Sequence, residues 1–106
     1  MMDNNEPEQA SEPLELYDIR KKIDLLDKQL LDLIAIRCDL AVSTLDVKRR
    51  HGLSSTDTRR EGEVKRRSAM LAQERNLDAE LVHAIFGHVI DLARAALKAS
   101  SREPKS

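Results

Sequence analysis

The sequence predicts an all-α protein of three helices: one very long, one short and one of medium length. Three observations carry this. Apolar residues recur in a 3/4 rhythm at Leu16, Ile19, Ile23, Leu26, Leu30, Leu33, Leu40 and Val47, the spacing of one helix face. No proline or glycine falls between Leu14 and His51, so nothing interrupts that helix. Aromatic residues make up only 2% of the chain. A β-sandwich or barrel would draw on more aromatic and β-branched side chains, whereas the Leu, Ala, Glu, Lys and Arg that dominate here favour helices.

Residues 1–13 combine Asn, Glu and Gln with two prolines and read as a disordered tail. The first helix is expected over Leu14–Arg50. At about 1.5 Å per residue it spans roughly 50 Å, too long for a compact monomer of this size. Its stripe is expected to be covered by other helices, a second copy of itself among them. His51-Gly52 is a stop signal, with Gly52 able to take the left-handed position after the helix. Leu53–Thr56 is a short loop. Thr58 with Glu61 three residues on fits a capping box opening the second helix, and Asp57 is an alternative cap. That helix runs to about Arg75, with Val64, Ala69 and Leu71 among its sparse apolar residues. Asn76-Leu77-Asp78 is a turn, with Asp78 as N-cap. The third helix follows over Ala79–Ala99. Residues 14–99 therefore form one helical domain, and 100–106 a flexible polar tail. There is no internal repeat.

Charged residues are 35% of the chain, yet the net charge is −1. Such a balance argues against nucleic-acid or membrane binding by bulk charge, and most of these charges read as solvated helix faces. Cys38 is the one cysteine, so no internal disulfide can form, and a cytoplasmic location is expected. No stretch reaches the roughly 18 apolar residues of a membrane span, and the N-terminus has no signal-peptide pattern. The three histidines and Cys38 show no metal spacing. No phosphate-binding glycine loop, nucleophile elbow or paired-carboxylate arrangement is visible. Neither a metal nor a cofactor is expected.

What remains is cations in unusual places: Arg20, Arg37, Lys48 and Arg60. Arg37 falls on the apolar beat between Leu33 and Leu40, where a core residue is due. Lys48 lies 11 residues further on; at about 100° and 1.5 Å per residue it shares the face of Arg37, roughly 16 Å along the axis. A small dianion fits between two such side chains. Arg20 lies about 25 Å from Arg37 and on another face, a poor position to serve that site in its own chain; if two long helices pack antiparallel, the partner copy's Arg20 can reach it. Arg60 stands near the start of the second helix, where the helix dipole also favours an anion.

The string Ile19-Arg20-Lys21-Lys22-Ile23-Asp24-Leu25-Leu26-Asp27, then Leu33-Ile34-Ala35-Ile36-Arg37, Val47-Lys48 and Asp57-Thr58-Arg59-Arg60-Glu61, resembles the all-helical bacterial chorismate mutases. The similarity covers about residues 14–98. It implies an intertwined helical homodimer with two active sites, each completed by an arginine of the partner's long helix. The family reaction converts chorismate to prephenate by a pericyclic Claisen rearrangement. By resemblance, Arg37 and the partner copy's Arg20 would hold the two substrate carboxylates, and Lys48 would donate to the ether oxygen. Arg60 would add positive field, and Glu61 with Asp57 would contact the substituent on ring carbon 4.

The third helix departs from the pattern. Where many family members carry a serine and, four residues on, a glutamine, this chain has Ala93 and Leu97. Neither side chain donates a hydrogen bond. The departure leaves room for a mutase that needs an activating partner enzyme, or for a related substrate. Two related activities stay open: 4-amino-4-deoxychorismate mutase of antibiotic pathways, and isochorismate pyruvate lyase. A non-catalytic dimerisation module is the remaining alternative, with Lys48-Arg49-Arg50-His51 and Lys65-Arg66-Arg67 as basic clusters for an acidic partner or nucleic acid. That alternative leaves Arg37 in the stripe without a reason.

Overall fold

A computed structural model describes residues 12–102 of the chain. The described residues form three helices, α1 (Leu14–Arg50), α2 (Thr58–Glu74) and α3 (Ala79–Arg102), as the periodicity predicts. The chain divides into two compact units, Met1–Leu33 and Ile34–Ser106, and α1 runs through both.

In the first unit the Pro13 carbonyl accepts from the Leu16 and Tyr17 amides, both at 3.1 Å, and so opens α1. Glu12 and Pro13 are thus ordered, while the rest of the expected N-terminal tail lies outside the described residues. The described residues of this unit leave its apolar stripe open: Leu26, Leu30 and Leu33 are 61%, 57% and 64% exposed.

The second unit begins within α1, whose one buried residue is Leu45. Gly52 ends the helix at φ +67°. Its amide bonds the Arg49 carbonyl at 3.2 Å, and the Leu53 amide bonds that of Lys48 at 2.7 Å, a Schellman closure. Asp57 caps α2, its carboxylate accepting from the Arg60 amide at 3.0 Å. The capping box expected from Thr58 and Glu61 is therefore not the one used. Thr58 is already helical, and Glu61 is left free to point elsewhere. A second Schellman closure ends α2 at Asn76, φ 58°, with the Leu77 amide on the Ala72 carbonyl at 2.9 Å. Asp78 then caps α3 through the Leu81 amide at 2.9 Å.

α2 and α3 pack as a helical hairpin. Their buried side chains, Val64, Ser68 and Ala72 against Val89, Ile90 and Ala93, recur at helical spacing. Ser68 satisfies its hydroxyl on the Val64 carbonyl at 2.8 Å, so the one buried polar side chain among the described residues has a partner. α3 continues through Ser100 to Arg102. That is three residues beyond the expected end at Ala99, and the rest of the tail expected over 100–106 lies outside the described residues. No described helix is long and apolar enough to cross a membrane.

Candidate active site

The sequence places Arg37 and Lys48 on one face of α1, Asp57, Arg60 and Glu61 at the start of α2, and Ala93 and Leu97 one turn apart on α3. All of them line one cavity of about 360 Å³ in the second unit. That volume suits a small organic ligand. Arg20 belongs to the first unit, where its guanidinium donates to the Glu12 carboxylate.

Local structure orients most of the charged groups. Lys48 sits in the last turn of α1, and its ammonium donates to the Ser55 carbonyl at 3.1 Å. The loop after the Gly52 closure thus turns back and holds the ammonium at the cavity wall. Asp57 spends one carboxylate oxygen on its cap, which fixes it at the N-terminus of α2, an end that favours negative charge. Arg60 lines the cavity, yet its guanidinium also donates to Glu63 at 2.6 Å. That hydrogen bond holds the Glu63 carboxyl below its ordinary range, and Glu63 in turn offsets part of the field expected from Arg60.

Sequence reasoning missed Arg94. Its Nε donates to Oε2 of Glu61 at 3.0 Å, and its Nη2 donates to Oε1 of the same carboxylate. The pair is a bidentate fork between α3 and α2. The hydrogen bond to Glu61 raises the Arg94 pKa above its ordinary value. A signal was present: Ile90, Ala93, Arg94 and Leu97 share one helical face, so Arg94 is a cation on an apolar beat, as Arg37 is. All four line the cavity. Ala93 is buried and Leu97 half-buried, so Arg94 is the polar group that α3 contributes.

The cavity therefore offers Arg37, Lys48, Arg60 and Arg94 around a space bounded by apolar side chains such as Leu40, Val64 and Ile90. Four cations against the two carboxylates of Asp57 and Glu61 suit an anionic ligand with a hydrophobic body. Such a site can orient a reactant and stabilise separating charge without a nucleophile.

Similarity to known proteins agrees with this geometry. The chain is 36% identical over 83 residues to a chorismate mutase of Methanocaldococcus jannaschii, covering 78% of this chain and 84% of that protein. It is 33% identical over 94 residues to a 4-amino-4-deoxychorismate mutase of Streptomyces venezuelae, covering 88% and 91% respectively. Residues 19–97 match the family described as chorismate mutase type II, and this chain belongs to that family.

Proposed function

We propose that the protein catalyses the rearrangement of chorismate to prephenate, as a homodimer with two shared active sites. The observation that carries the reading is the meeting of Arg37, Lys48, Arg60 and Glu61 in one cavity of a chain in this family. In the reaction the ether C–O bond breaks while a C–C bond forms between the enolpyruvyl methylene and the ring. No proton moves and no covalent intermediate forms. The protein's work is to hold the compact conformer and to meet the charge that develops on the ether oxygen.

Each residue has a role within this reading. Arg37 grips one substrate carboxylate through its planar fork, and the partner copy's Arg20 grips the other. Lys48, already aimed by Ser55, donates to the ether oxygen as it becomes negative. Arg60 adds positive field beside it. Glu61 and Asp57 face the substituent on ring carbon 4, and Ala93 and Leu97 form an apolar wall. A second copy is supported by the open stripe of α1: each Leu side chain buried there would contribute about 1.5–3 kcal/mol. The 4-amino-4-deoxychorismate reading rests on the Streptomyces relative and stands second.

The test is direct. Purified protein is given chorismate and, separately, 4-amino-4-deoxychorismate, and product formation is followed alongside sedimentation. We expect a dimer that forms prephenate. A folded protein that converts neither substrate would overturn the assignment.

A further inference from the structure

The site holds one feature that positioning of two carboxylates does not require. Glu61 lies at the mouth of α2 with its side chain 20% exposed, and both its oxygens are engaged by Arg94 from α3. Of the two carboxylates that would meet the ring substituent, Asp57 is engaged by the α2 cap and Glu61 carries its own counter-cation.

We infer that Arg94 is a specificity-determining residue, selecting a substrate with a neutral hydroxyl on ring carbon 4 over one with an ammonium there. The inference rests on the proposed placing of that substituent against Glu61. A free carboxylate would favour an ammonium, since opposite charges within about 4–6 Å attract strongly. Here the charge of Glu61 is already countered, and an arriving ammonium would stand a few ångströms from a guanidinium. Arg94 cannot relieve that repulsion by losing its proton, because arginine stays charged at any working pH. A hydroxyl avoids the conflict. It can donate to a remaining lone pair of Glu61, or accept from one of the guanidinium N–H groups not used in the fork.

The wider lining points the same way. Arg37, Lys48, Arg60 and Arg94 outnumber Asp57 and Glu61 by two charges, before any contribution from the partner copy. A dicarboxylate with a hydroxyl carries two negative charges, and its ammonium analogue carries a net of one. Every cation in the lining therefore favours the hydroxyl compound, and Arg94 is the one closest to the point of difference. Its side chain is half-exposed, so water screens part of the effect. A discrimination of about tenfold is the expected scale.

The experiment offers chorismate and 4-amino-4-deoxychorismate together to the wild type and to Arg94→Gln, Arg94→Leu and Arg94→Lys, and measures the ratio of the two kcat/KM values. Both substrates compete for the same active molecules, so a loss of folded protein cancels from the ratio. We expect Arg94→Gln and Arg94→Leu to raise the preference for the amino compound about tenfold, and Arg94→Lys to stay near the wild type. An unchanged ratio in the Gln and Leu variants, or an equal rise in the Lys variant, overturns the role of Arg94 alone. A wild type inactive on both substrates overturns this inference together with the proposed reaction.

Discussion

Two apolar faces in this chain follow the same rule of spacing and meet opposite fates. On α2 and α3, Val64, Ala72, Val89, Ile90 and Ala93 are buried within one chain. In the first unit, Leu26, Leu30 and Leu33 repeat at the same 3/4 spacing and lie open. The hairpin covers itself because a four-residue turn lets α2 and α3 meet. The first unit is a single described helix, so it has no second helix of its own to lay against its stripe. Periodicity states that a face needs covering; only tertiary structure states whether the chain can cover it alone. The cavity sits in the unit that holds the hairpin, and Arg20 belongs to the other, so the proposed site draws on both kinds of face.

The strongest way to break this comparison is to make the stripe polar. Leu26→Asp combined with Leu30→Asp should give a helical monomer in sedimentation with no detectable turnover. A fully active monomer would show the stripe to be a solvent face and the site to be complete in one chain. Next in size are Arg20→Ala and Arg37→Ala, each of which should lower kcat/KM by about a hundredfold or more. Mixing the two inactive proteins should restore activity, because a mixed dimer holds one site with both arginines intact. Absence of rescue would remove Arg20 from the partner's site. Lys48→Ala should lower kcat by about a hundredfold with a smaller change in KM, since its donor matters most as the ether oxygen gains charge. An effect on KM alone would make Lys48 a substrate-binding group. The smallest effect belongs to the hairpin. Asn76 takes a left-handed conformation at φ 58°, so Asn76→Ala should cost about 1 kcal/mol in denaturant unfolding. No loss would mean that the α2–α3 turn does not help to hold the self-covered face.

Arg37, Lys48 and Arg60 were legible because a cation on an apolar beat, or at a helix end, departs from a local pattern. Arg94 carried the first of these signals on the face of Ile90, Ala93 and Leu97, but it sits in a chain where 35% of residues are charged, and a single cation reads as surface. What distinguishes it is Glu61, which lies 33 residues earlier. No periodicity encodes a pairing at that range. The start of α2 shows the converse. Thr58 and Glu61 match the local capping signature, yet Asp57 takes the cap and Glu61 turns to Arg94. A bidentate fork to a guanidinium outcompetes a single bond to a backbone amide.

The sequence by itself determined the three helices, their ends at Gly52, Asn76 and Asp78, and the cations that mark the site. These rest on short-range physics: side-chain periodicity, left-handed closures and caps, all acting within a few residues. Only the tertiary structure decided that Arg94 neutralises Glu61, that Lys48 is held by Ser55, and that the stripe around Leu30 stays open among the described residues of its unit. Those outcomes depend on which surfaces meet in space, and residues far apart in the chain carry no local mark of the neighbours that folding gives them.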